Sequence, residues 1–113
     1  MVRSSSRPKP YLLLSTIDSP KNATKIAKTL VKKGLAACVN VIPQVNSLFR
    51  WKGVVDQTHE LLLIIKTDRR HLRQVEKTIR KYHPYEIPEI IGWPIVWGHQ
   101  PYLRWLSDST SSD

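Results

Sequence analysis

The residues able to do metal or nucleophilic chemistry are few. Apart from Met1, the soft or borderline ligands are Cys38 and the histidines at 59, 71, 83 and 99. None stands at close ligand spacing: there is no Cys-x-x-Cys, no His-x-x-x-His and no Glu-x-x-His. A hairpin centred on Lys52-Gly53 would set Cys38 opposite Thr67 and His59 opposite Asn46, about 26 Å apart along the ribbon. One chain therefore cannot bring that pair to one ion, and a site would have to form between subunits. Cys38 also reads as a small buried hydrophobe. His83, just before Pro84, reads as a helix-ending residue bonded to a carbonyl. Oxygen donors are richer in Tyr85-Glu86-Ile87-Pro88-Glu89, although two carboxylates three residues apart around a proline suit hard-cation ligation only weakly. Lys66 ends an apolar run, where a charged group needs a partner.

The elements that must position these groups are legible from hydrophobic period and punctuation. Tyr11-Leu12-Leu13-Leu14-Ser15-Thr16 predicts a buried strand. Asp18-Ser19-Pro20 predicts a helix start, and Ala23, Ile26, Ala27, Leu30 and Val31 predict a helical stripe that Gly34 stops. A second strand begins at Ala37 and meets Pro43, with pairing expected to resume over 47–51. After the Lys52-Gly53 turn, the strand returns through Leu61-Leu62-Leu63-Ile64-Ile65, whose unbroken apolar character predicts cover on both faces. Thr67-Asp68 should cap a second helix with Leu72, Val75, Ile79 and Tyr82 inward, ended by Pro84. A last strand is expected over 89–96, at an edge because of Pro94. A short helix follows from Pro101 to Leu106.

This order predicts an α+β, ferredoxin-like βαββαβ sandwich with helices on one face of an antiparallel sheet. Residues 1–9 are expected as a basic tail, 10–107 as the domain and 108–113 as a flexible end. At 113 residues and 13.1 kDa the chain makes one domain, which excludes a two-lobed enzyme. Nothing approaches the roughly 20 apolar residues of a membrane span, and a lone cysteine points to a reducing compartment, so the expectation is cytoplasmic. With 18 Lys plus Arg against 9 Asp plus Glu the net charge is +9, which raises the prior for nucleic acid, an anionic membrane surface or acidic ligands. Charge spread over the tail and the wet faces of two helices with no reading element nevertheless reads as a solubility feature, and no specific nucleic-acid partner is expected. A sequence-reading role in RNA recognition is not supported: that motif needs exposed aromatics on its central strands, and these strands are aliphatic. An acylphosphatase would need an arginine in a glycine-rich phosphate loop, whereas the loop here is Thr16-Ile17-Asp18-Ser19-Pro20. No catalytic residue is predicted.

The hairpin is too long for a monomer. It should reach ~45 Å, and its distal half carries Leu48, Phe49, Trp51, Val54 and Val55. A projecting apolar ribbon invites aggregation unless other copies cover it. An oligomer is expected, with Phe49, Trp51 and Val54 in its interface.

Leu35-Ala36-Ala37-Cys38-Val39-Asn40-Val41-Ile42-Pro43, Trp51-Lys52-Gly53, Glu60 to Thr67, His83-Pro84-Tyr85-Glu86-Ile87-Pro88-Glu89-Ile90-Ile91 and Tyr102-Leu103-Arg104-Trp105-Leu106 together resemble the CutA family of divalent-ion tolerance proteins. The resemblance runs from about Tyr11 to Leu106. It implies a homotrimer similar in architecture to the PII-type regulatory trimers, with a role in binding and tolerating divalent metal ions, copper above all, and no catalytic reaction. Some relatives carry a cysteine at the position of Ser15 and a histidine pair at Tyr82-His83; their absence leaves Cys38 and His83 as the metal candidates. The family's inter-subunit cleft maps to Glu60, Lys66, Tyr85, Glu86 and Glu89, which serve equally well as an ion-pair network fixing the trimer's register. Animal members are tied to anchoring of acetylcholinesterase, so a protein partner is a further expectation. The alternative function is a PII-like small-ligand sensor or an anchoring scaffold without a metal role. Arg50, Lys52 and Val54 depart from the family's usual wording.

Overall fold

The computed structural model describes residues 7–110. Strand β1 (Pro10–Ile17) leads into α1 (Pro20–Lys32), where the Ser19 side chain accepts from the Asn22 N–H at 3.1 Å and Pro20 presets the first turn. Strands β2 (Cys38–Trp51) and β3 (Val54–Asp68) form the hairpin. A 3₁₀ turn, Arg69–His71, precedes α2 (Leu72–Tyr82), and β4 (Ile91–Pro94) and α3 (Gln100–Asp108) complete the chain. The sheet order is β2-β3-β1-β4 with every pair antiparallel, as the ferredoxin-like sandwich requires.

Period-two alternation decides which residues meet the helices. Leu13, Ile17, Leu63 and Ile65 point to one side and bury against Ile26 and Leu30 of α1 and Val75 and Ile79 of α2. Ser15 points the same way and is sealed from water, and its Oγ is the one buried side-chain polar atom without a partner among the described residues. An unpartnered hydroxyl costs free energy, so Ser15→Ala is expected to stabilise the fold by about 1 kcal/mol, read as a higher urea midpoint. A lower midpoint would reveal a hydrogen bond that this packing does not provide.

The hairpin dominates the shape, drawing the molecule out to 55 × 25 × 22 Å. Lys52 and Gly53 both take positive φ, 51° and 80°, which is the two-residue turn that matches strand twist, and Trp51 faces Val54 across it. In β4, a Cβ on Gly92 would collide with the Leu13 side chain and come within 2.9 Å of the Leu12 carbonyl, so the edge strand lies this close to β1 only because residue 92 is glycine.

Several expectations need correction. The second strand does not break at Pro43: β2 runs through it, with a bulge between Ile42 and Val45 where Gln44 takes φ 63°. The bulge moves the register by one, so Cys38 faces Lys66 rather than Thr67, while Asn46 and His59 pair as expected. The last strand is shorter than 89–96. The crossover helices α1 and α2 share one face as expected, whereas the appended α3 lies on the other, since the Lys66 ammonium lies 6.0 Å from the Tyr102 ring and Lys66 points away from Ile65. Nor are both faces of β3 covered within one chain. Leu12, Leu14, Leu62 and Ile64 on the side away from α1 and α2 are only half-buried, beside exposed Ile42, Ile91 and Trp93.

The boundaries move as well. Helix α3 continues to Asp108 and Thr110 is buried, so the ordered domain extends past 107. At the other end, the Lys9 carbonyl accepts from the Arg69 N–H at 2.9 Å and Arg7 pairs with Asp108 at 3.3 Å. The rest of both expected tails, residues 1–6 and 111–113, lies outside the described residues.

Candidate functional site

Pro84 is the local cause of the main cleft. It forces His83 into extended backbone, φ −85° and ψ 133°, and so turns the chain out of α2 toward the sheet. The His83 Nδ1 accepts from the Tyr85 N–H at 3.2 Å, which leaves Nε2–H to donate to the Thr16 carbonyl at 2.7 Å. The Tyr85 ring packs edge-on against His83 with centroids 4.5 Å apart. Its hydroxyl then donates to Glu60 Oε2 at 2.6 Å, while Thr16 Oγ1 makes a longer bond of 3.4 Å to Glu89. Burial lifts the Tyr85 phenol well above its ordinary 10.0, and the hydrogen bond to Glu60 and the negative charges of Glu60 and Asp18 push the same way. At any physiological pH the phenol is a proton donor held by a carboxylate.

Between this loop and the distal half of the hairpin opens a cleft of about 890 Å³. Five of the nine acidic residues of the chain line it: Asp18, Asp56, Glu60, Glu86 and Glu89. None of the described lysines and arginines does. Phe49 and Trp51 form its apolar wall. A chain of net charge +9 thus keeps one pocket of concentrated negative potential, floored by a Glu60 that is only 6% exposed.

The structure gathers Glu60, Tyr85, Glu86 and Glu89 of the expected cleft, together with Phe49 and Trp51. Val54, the third expected interface residue, stays exposed at the hairpin tip. Lys66 is not among them: it sits six residues further along β3, about 20 Å away, beneath Tyr102. Cys38 and His83 are also apart. Cys38 pairs with Lys66 and has Asn40 Oδ1 at 3.9 Å, whereas His83 holds Thr16, which pairs with Leu62. Both ring nitrogens of His83 are engaged within its own chain. Among the described residues no three of His, Cys, Asp and Glu come close enough to hold a metal ion tightly.

Sequence reasoning missed Asp18 and Asp56 as cleft residues, since one reads as a helix cap and the other as a hairpin flank. It missed a second polar centre entirely. Asp68, fully buried, accepts from the Arg70 N–H, Nε and Nη2, from His71 Nδ1 at 3.1 Å and from the Thr110 hydroxyl at 2.6 Å. Burial alone would raise its carboxyl, but the hydrogen bonds from Arg70 and Thr110 and the charges of Arg70 and His71 outweigh it and hold Asp68 below the ordinary 3.8. No local signal tells that Thr110, in a Ser/Thr/Asp-rich end, returns to this carboxylate.

Among the described residues no helix is long and apolar enough to cross a membrane. The sequence profile of the family described as CutA1 divalent ion tolerance protein matches residues 11–109. A divalent-cation tolerance protein CutA of Thermus thermophilus is 41% identical over 99 residues, which span 88% of this chain and 96% of that one. The mouse protein CutA is 41% identical over 97 residues, and there the match spans 86% of this chain but 55% of the relative. The crystal structure of rice CutA1 superposes with a TM-score of 0.89 at 33% identity, covering 95% of this chain and 98% of that one.

Proposed function

Because the chain belongs to the CutA1 divalent ion tolerance family, we propose that it is a non-enzymatic, cytoplasmic homotrimer that takes up divalent cations weakly in clefts at its subunit seams. The observation that carries this reading is the segregation of five carboxylates, with no described lysine or arginine, into one cleft of a basic protein. Such a lining attracts cations and repels a small anionic metabolite, which weighs against the sensor alternative in its anionic form. Carboxylate and phenol oxygens suit harder divalent ions than copper(II). A copper(II) site would need Cys38 of one copy to meet an imidazole of another, because His83 spends both nitrogens internally.

Assembly is supported by the surface that one chain leaves bare. The half-buried aliphatic side of the sheet and the exposed Leu48, Val54 and Val55 of the hairpin tip need cover. The seams of such a trimer would border the cleft, whose wall already contains Phe49 and Trp51.

The test is thermal unfolding of the purified protein with manganese(II) and with copper(II). A cation that binds only the folded state at ten times its Kd should stabilise by about 1.4 kcal/mol. Manganese(II) is expected to raise the midpoint, and Glu60→Gln/Glu86→Gln/Glu89→Gln to abolish the shift. No response to any divalent cation would overturn the reading.

A further inference from the structure

We infer that the outer face of α1 and α2 is a binding surface for the phosphate backbone of double-stranded nucleic acid, engaged without sequence preference. Lys21, Lys25, Lys28 and Lys32 recur at spacings of four, three and four, forming one exposed row about 16 Å long on α1. Arg73, Lys77 and Arg80 form a second exposed row on α2. The two helices pack side by side, so the rows lie about 8–10 Å apart. Tyr82 marks where they converge, with the ammonium of Lys25 at 5.4 Å and that of Lys81 at 5.3 Å from its ring.

The face is unneutralised. The only ion pairs among the described residues are Arg7–Asp108 and those of Arg70 and His71 with Asp68, and none involves either row. Glu76 is the one acidic residue on the two helices. The negative charge of the chain has gone instead to the cleft beside the hairpin. Crowding cations without partners leaves repulsion that a polyanion relieves. A duplex carries one charge per ~1.7 Å of axis, or about nine phosphates over the length of the lysine row.

Two features favour nucleic acid over a lipid surface. A helix that lies in a membrane interface dips tryptophan, phenylalanine or leucine between headgroups. Here Val31 is the one exposed large hydrophobic residue on either helix, while Trp93, Trp97 and Trp105 lie outside both. The rows also stand on the outer faces of two helices packed side by side, a surface too broad to enter a groove where Lys and Arg could read base edges, so the contacts fall on phosphates and the binding is blind to sequence. Copies that cover the open side of the sheet leave these helices outward, and assembly would multiply the patch.

The test uses the full-length protein and fluorescence anisotropy with a labelled 20-base-pair DNA duplex and a second duplex of scrambled sequence. Both should bind alike, and affinity should fall about a hundredfold between 50 and 200 mM salt, as four phosphate contacts require. Lys25→Glu/Lys28→Glu/Arg73→Glu/Lys77→Glu should abolish binding, and the gentler Lys25→Gln/Lys77→Gln should weaken it about tenfold at low salt. A control with the same charge change elsewhere, Lys9→Glu/Arg50→Glu/Lys52→Glu/Arg104→Glu, compared at the parental assembly mass by light scattering, should lose much less. Equal loss in the control, no binding of either duplex, or binding of phosphatidylserine vesicles in place of the duplexes would each overturn the assignment.

Discussion

Replacing Asp68 by alanine is expected to cost the fold about 3 kcal/mol and to free the C-terminal end of the chain. Removing one partner of a buried ion pair typically costs ~3–5 kcal/mol, because the other is left uncompensated. The lower figure applies here because the Arg70 side chain is 32% exposed and keeps part of its hydration. The carboxylate also serves three elements at once: it caps the 3₁₀ turn, fixes His71 and anchors Thr110 beyond α3. Urea unfolding should show the lower midpoint, and limited proteolysis should cut near the end of α3 faster than in the parent. Thr110→Val, which removes one hydrogen bond, should cost about 1 kcal/mol. If Asp68→Ala unfolds at the parental midpoint, the cluster is not a structural tie.

The same carboxylate predicts a pH dependence. Its folded value lies below the unfolded 3.8, so its contribution is complete above that value and is lost as the pH falls through the folded one. The parent should therefore lose stability in acid below about pH 4, and Asp68→Ala should lose less over the same interval.

The second large effect concerns assembly. Ile64 stands on the open side of the sheet, between Leu14 and Asn40 in the pairing. Within one chain it is half-buried, so Ile64→Lys can snorkel its ammonium to water and leave the subunit folded. At a seam between copies the same ammonium would be buried without a partner, at a cost of several kcal/mol. Light scattering should find the parent at about three times the 13.1 kDa subunit mass and the variant at the subunit mass, with the circular dichroism of the two alike. Trp51→Ala at the hairpin tip should shift the same equilibrium less. A trimer that survives Ile64→Lys would place the interface elsewhere.

How far the sequence carries can be judged residue by residue. His83 shows it working: the residue before a proline at a helix end is both extended and free to bond a carbonyl, and it holds Thr16. Cys38 shows it failing by one position. The turn at Lys52-Gly53 fixes the hairpin register only as far as the bulge at Pro43-Gln44, and a bulge depends on how the strand must bend over its neighbours. Lys66 and Glu60 lie on one strand and one face, and only their positions relative to the Tyr85 loop decide that one lines the cleft and the other does not.

Period, caps and turns thus determined the order of elements, the inward faces of α1 and α2 and the over-long ribbon, because each is set by neighbours a few residues away. Charge was different. A sequence with 18 basic and 9 acidic residues gives a net value without an arrangement. Folding divided it, packing two helices so that their lysines and arginines form one face while distant acids from the first loop, the hairpin and the Tyr85 loop converge on one cleft. That separation depends on contacts between residues up to 73 positions apart, Thr16 and Glu89 being the extremes of the cleft, and no local pattern encodes such contacts.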